Sequence, residues 1–143
     1  MFLGTYEHLV DDKNRVRIPP KFRKEMQDGM VISKGNDGCL FLLPKKQFDV
    51  VLSKVENVPM FDSAAQVPLR ALFSSACEVE EDAQGRFLLP INLKTFTYIK
   101  KEIVFIGVGS RVEIWSKERW QDYSNKASSN FDQVLEGLKN YGI

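Results

Sequence analysis

Apolar residues recur along this chain with two periods, and the same succession of periods occurs twice. Tyr6 to Val10 is a short strand-like run. Arg15 to Ile18 then alternates, with Val16 and Ile18 on one face of a pleat and Arg15 and Arg17 on the other. Pro19 or Pro20 suits the first turn of a short helix that buries Phe22 and Met26. Val31–Ser33 and Leu40–Leu43 read as apolar strands joined by the Gly-rich turn KGNDG. The second succession runs from Cys77–Glu81 through Arg86–Leu89, where Leu88 blurs the alternation. It continues through Pro90 and Leu93 to Ile103–Ile106 and Val112–Trp115, joined by GVGS. Spacings of i, i+3, i+4, i+7 mark three amphipathic helices: Phe48/Val51/Leu52/Val55, Leu69/Leu72/Phe73/Ala76 opened by Pro68, and Phe131/Val134/Leu135/Leu138 capped by Ser129 with Asp132. These stripes are assigned to core packing, and Val58-Pro59-Met60 to a linker between the first two helices.

The succession is a true repeat. Asp11-Asp12-Lys13-Asn14-Arg15-Val16-Arg17-Ile18-Pro19 aligns with Asp82-Ala83-Gln84-Gly85-Arg86-Phe87-Leu88-Leu89-Pro90 at a constant offset of 71. Phe22 then falls on Leu93 and Arg23 on Lys94, and MVISKGNDGCLFLLPKKQF matches IVFIGVGSRVEIWSKERW with a one-residue slip. Asn14 and Gly85 occupy a turn position that calls for positive φ, which glycine adopts freely and asparagine at small cost. Two copies of one β-rich unit follow, giving a mostly β fold with α (α+β). The units span 5–48 and 77–120, with a helical linker at 49–76 and a C-terminal helical segment at 121–143.

Composition narrows the class. The 143 residues are 43% hydrophobic and 27% charged, with no apolar run long enough for a membrane span and no leader-like start, so a cytoplasmic protein is expected. Cys39 and Cys77 lie in apolar stretches and read as reduced, buried thiols. Net charge is only +1, yet Lys13, Arg15, Arg17, Lys21, Arg23 and Lys24 crowd one segment without an acid among them.

Catalytic chemistry finds little support. His8 is the only histidine and reads as a surface strand residue, so a histidine-rich metal site is excluded. Gly107 and Gly109 lack the third glycine or lysine of a phosphate loop. No catalytic residue, metal or cofactor is assigned. Asp11 and Asp82, each beside a turn and four residues before an arginine, read as acceptors for turn amides or as partners that orient Arg15 and Arg86. Arginine recognises guanine through a bidentate contact, and a two-stranded ribbon with its turn fits the major groove. The same residues therefore point to DNA.

The opening MF-x-G, the frame D-x-x-[N/G]-R-Φ-x-Φ-P at both offsets, and the closing GVGSRVEIWSKERW resemble the bacterial MraZ family over Met1 to about residue 120. The resemblance implies two AbrB-like swapped-hairpin units packed within one chain as a pseudo-dimer and binding DNA through their D-x-x-x-R segments. It implies a transcriptional regulator, a repressor of the division and cell-wall gene cluster and of its own promoter, located at the nucleoid. It further implies a ring-like homo-oligomer on promoter direct repeats of double-stranded DNA, with no membrane or small-molecule partner. By position, the family's basic DNA-facing residues fall on Lys13, Arg15 and Arg86, with Asp11 and Asp82 as the paired acids. Asn14 stands where glycine is usual, and Gln84 stands opposite Lys13, which weakens the second unit's expected grip. Arg17 and Lys21 join the site from charge and alternation alone. Surfaces joining chains are expected around Trp115, Trp120 and the linker helices. The competing class is a protein-interaction module such as an AbrB-like antitoxin.

Overall fold

The computed structural model describes residues Met1–Ile143. The first repeat comprises β1 (Phe2–Leu9), β2 (Arg15–Arg17), α1 (Pro20–Met26), β3 (Met30–Lys34), β4 (Leu40–Pro44) and α2 (Lys45–Val55). The second comprises β5 (Cys77–Val79), β6 (Arg86–Leu88), α4 (Ile91–Thr97), β7 (Glu102–Gly109), β8 (Arg111–Ser116) and α5 (Lys117–Ser128). Between them lies α3 (Ser63–Ser75), and the chain closes with α6 (Phe131–Leu135) and a 3-10 turn at Glu136–Tyr141. Strands β2 and β6, and helices α1 and α4, coincide at the offset of 71 read from the sequence. Pro20 takes the first position of α1, where its missing N–H costs nothing, and Pro19 and Pro90 occupy the cap positions.

The repeats do not fold side by side. Six strands form one antiparallel sheet in the order β1-β7-β8-β4-β3-β5, so each repeat's first strand adds to the other repeat's hairpin or crosses to it: β1 runs along β7, and β5 along β3. The second strands leave that sheet and pair with each other, β2 with β6, in register Arg15↔Leu88, Val16↔Phe87 and Arg17↔Arg86. One core results, in which Val16, Ile18 and Phe22 of the first repeat pack with Phe87, Leu89 and Leu93 of the second. Each of these is at most 2% exposed, and burying such a side chain stabilises the fold by about 1.5–3 kcal/mol. Because both repeats supply this core, the ribbon is held by long-range packing rather than by either turn alone.

Several elements differ from the sequence pattern. β1 begins at Phe2, four residues before Tyr6, because Gly4 interrupts the apolar alternation while the backbone stays paired with β7 throughout. Gly107 lies within β7 rather than in the GVGS turn; an added Cβ there would collide with the backbone of Leu3 on β1. Pro68 falls inside α3, whose start is set by Asp62: its Oδ1 accepts from the amides of Ala64 (3.1 Å) and Ala65 (3.2 Å). Ser129 does not cap α6. It is consumed by the end of α5, where its hydroxyl donates to the carbonyl of Lys126 (2.9 Å). The stripes of α2 and α3 reach only half-burial, with Phe48 and Phe73 in edge-to-face contact at 6.1 Å. The C-terminal stripe is exposed, Phe131 by 59%. Trp115 is a buried residue on the sheet's second face, covered within the chain by Trp120 (5.4 Å between ring centroids) and Tyr123 (4.9 Å), so it offers no surface to another chain. Cys39 is buried, but Cys77 is exposed, at the first position of β5 on the edge of the sheet. No helix is long and apolar enough to cross a membrane.

Candidate nucleic-acid interface

The two D-x-x-x-R segments adopt one geometry. In the first, Asp11 Oδ1 accepts from the amides of Lys13 (2.9 Å) and Arg15 (2.8 Å), while Oδ2 accepts from Arg15 Nε (2.7 Å). In the second, Asp82 Oδ1 accepts from the amides of Gln84 (2.9 Å) and Arg86 (3.0 Å), and Oδ2 from Arg86 Nε (3.0 Å). Each carboxylate therefore fastens a turn and orients an arginine through the same three hydrogen bonds. Holding Nε leaves the two terminal Nη groups of each guanidinium without a hydrogen bond inside the protein. The backbone closes each turn at a residue in the left-handed region, Asn14 at φ 59° and Gly85 at φ 76°. Asparagine tolerates this conformation, so the departure at Asn14 leaves the turn intact.

Strand exchange welds the two turns together. Ile18 N donates to the carbonyl of Gly85 (3.0 Å), and Leu89 N donates to that of Asn14 (2.8 Å). Arg86 Nη1 also lies 4.0 Å from Asp11 Oδ2, an ion pair between repeats. Two helix residues complete the joint, and sequence reading missed their roles. Lys94 Nζ donates to Asn14 Oδ1 (2.8 Å), whereas Arg23, its counterpart, lies against Gly85 and donates from Nε to Glu81 (3.1 Å). The signal was present in the alignment of Arg23 with Lys94, but only the swap shows that each serves the opposite repeat's turn.

The hydrogen bonds fix the charge state of the acids. The amide of Arg15 is the first cause that holds Asp11 below the ordinary carboxylate range, and the amide of Arg86 does the same for Asp82, each against an opposing desolvation. A depressed folded-state pKa contributes stability at every pH above the free carboxylate's value, and that contribution is lost as pH falls through the folded value. The turns are therefore fully formed at neutral pH and loosen only in acid. Asp11→Ala is expected to lower the melting temperature by about 2–5 °C and to weaken DNA binding in the same variant. Thermal melting and a titration at matched salt check this; a variant that melts and binds like the parent makes Asp11 a solvated surface charge.

On the outer face of the ribbon stand Arg15 and Arg17 from β2 and Arg86 and Leu88 from β6, since Val16 and Phe87 point into the core. Lys13 and Gln84 are exposed at the two turn tips, and Lys21 is exposed at the start of α1. The structure thus brings Lys13, Arg15, Arg17 and Arg86 to one surface, with Lys21 one element further along. His8 is half-buried rather than on the open surface, its ring edge-to-face with Phe105 at 5.4 Å; burial first, and then nearby Arg17, keep its pKa below the ordinary value. The buried Cys39 thiol is pushed up to about 12, chiefly by desolvation.

A family model described as "MraZ protein, putative antitoxin-like" matches this chain twice, over residues 1–71 and 72–140. Among curated proteins, the chain is 46% identical to a transcriptional regulator MraZ of Clostridium beijerinckii, over 143 residues covering all of both chains. It is 41% identical to the same-named protein of Syntrophomonas wolfei over 143 residues, again all of both, and 40% identical to that of Carboxydothermus hydrogenoformans over 141 residues, 99% of each.

Proposed function

Since this chain belongs to the MraZ family, whose named members are transcriptional regulators, we propose that it regulates transcription by inserting the β2–β6 ribbon into the major groove of double-stranded DNA. One observation carries the reading: strand exchange sets two identically braced D-x-x-x-R turns back to back, so that one ribbon presents an aimed arginine from each repeat. Arg15 and Arg86 would each direct their terminal Nη fork to O6 and N7 of a guanine, and Arg17 would follow on the same face. Lys13 at the turn tip and Lys21 on α1 would neutralise phosphates and set the register. Asp11 and Asp82, with Asn14 and Gly85, hold the geometry and take no part in contact. The units 5–48 and 77–120 act together as one reader, flanked by the linker 49–76 and the tail 121–143.

The chain would work in the cytoplasm, at the nucleoid, as a repressor of a division and cell-wall gene cluster that includes its own promoter. It would do so as a ring-like homo-oligomer on promoter direct repeats. Half-buried stripes on α2 and α3 and the exposed Phe131, Val134 and Leu135 supply apolar surface that a single chain leaves uncovered. A gel shift of the pure protein on its own upstream DNA, competed with unrelated duplex, tests the reading. Retention of the complex against excess unrelated DNA is expected, and equal competition by both duplexes overturns it. The antitoxin reading expects instead a second protein on the exposed C-terminal stripe and no preference for the upstream DNA.

A further inference from the structure

Every outward position of the β2–β6 ribbon but one is arginine. The exception is Leu88, 62% exposed, the register partner of Arg15 and the counterpart of Arg17 in the first repeat. A lone exposed leucine needs no explanation on an ordinary surface. This one is held outward by its neighbours, because Phe87 and Leu89 on either side are buried in the core, and it stands on the proposed DNA-reading face directly opposite Arg15. It has neither charge for phosphate nor a hydrogen-bonding group for base edges. In the major groove the one apolar group that base pairs display is the C5-methyl of thymine.

Resting on the reading that this ribbon enters the major groove, we propose that Leu88 is a specificity-determining residue that packs against the C5-methyl of a thymine next to the guanine read by Arg15. Side chains directly opposite on paired strands stand about 4.5–5.5 Å apart, close enough to the roughly 3.4 Å rise between bases for the pair to read neighbouring positions. The consequence reaches beyond one contact. The ribbon backbone has near two-fold symmetry, but its chemistry does not: the first repeat offers Lys13, Arg15 and Arg17, and the second offers Gln84, Arg86 and Leu88. Gln84 and Leu88 are then substitutions of readout rather than simple losses of grip. The element read by one chain is therefore directional.

The test uses duplexes selected from a random library by the full-length protein. Thymines are replaced singly by deoxyuridine, which removes only the C5-methyl, and affinity is read by fluorescence anisotropy at fixed salt for the parent, Leu88→Ala and Leu88→Arg. For the parent, one replacement per element is expected to weaken binding about three- to tenfold. Leu88→Ala should start weaker by a similar factor on the unmodified duplex and be indifferent to that replacement, with an unchanged salt slope because no phosphate contact is lost. Leu88→Arg should share the indifference while binding unrelated DNA more tightly. The proposal is overturned if the parent binds its selected duplex and no deoxyuridine changes its affinity, or if Leu88→Ala retains the full methyl dependence. Failure of the parent to select any duplex over unrelated DNA removes the ribbon reading, and this inference with it.

Discussion

Arg15→Ala is expected to abolish sequence-specific binding while leaving the protein folded. The side chain lies outward on β2, a third of it exposed, with Nε bonded to Asp11 Oδ2 (2.7 Å). Truncation removes that bond but leaves Asp11 Oδ1 holding the amides of Lys13 and Arg15, so the turn persists. What is lost is the aimed fork. A bidentate arginine–guanine contact discriminates against the wrong base by about 1–3 kcal/mol, and an assembly that engages several elements loses that amount at each. Binding to unrelated DNA should fall much less, because one cation among several contributes little to the nonspecific term. Footprints and melting curves at matched salt check both halves. An unchanged footprint removes Arg15 from the site, and a collapsed melting transition makes it a structural residue.

The second large effect concerns copy number. A single chain offers one ribbon and a net charge of +1, which supports weak and salt-sensitive binding to one element. Association of chains, proposed to run through the apolar faces of α2, α3 and the C-terminal segment, would make each later contact intramolecular. Affinity should therefore rise by about 10²–10⁴ between DNA carrying one copy of the element and DNA carrying three, with no new contact per chain. Copies about one helical turn apart present their major grooves on one side of the duplex, so shifting one copy by half a turn should forfeit most of the gain. Mass in solution and titrations on duplexes with one, two and three copies test this. A monomer at micromolar concentration, or equal affinity for one copy and three, contradicts it.

The sequence made the repeat and its turns legible because both are local. The frame from Asp11 to Pro19 recurs at 82–90, and the acid, the positive-φ residue and the arginine each announce their part in the turn within five residues. The pairing of strands was not visible in residue patterns alone. Nothing in the alternation of Phe2–Leu9 says that it lies along β7 rather than beside β2; that partner is chosen by the close backbone approach at Gly107 and by a core drawn from both repeats. For the same reason Arg23 and Lys94 looked like ordinary helix cations, although each reaches the other repeat's turn. Amphipathic spacing also located the outer helices without revealing how deeply they sink. Phe48 and Leu72 share a stripe pattern with true core helices but end half-buried. Trp115 on β8 shows the converse, since Trp120 and Tyr123 of the following helix α5 cover it and leave nothing for a neighbouring chain.

DNA is expected to meet the ribbon built jointly by the two repeats. Photocrosslinking addresses it directly: a selected duplex carrying 5-bromodeoxyuridine in place of its thymines is irradiated with the protein, and the attached peptides are identified by mass spectrometry. Crosslinks within residues 11–24 and 82–94, from both repeats on the same element, are the predicted result. Crosslinks confined to α2, α3 or the segment after residue 121 would contradict the account.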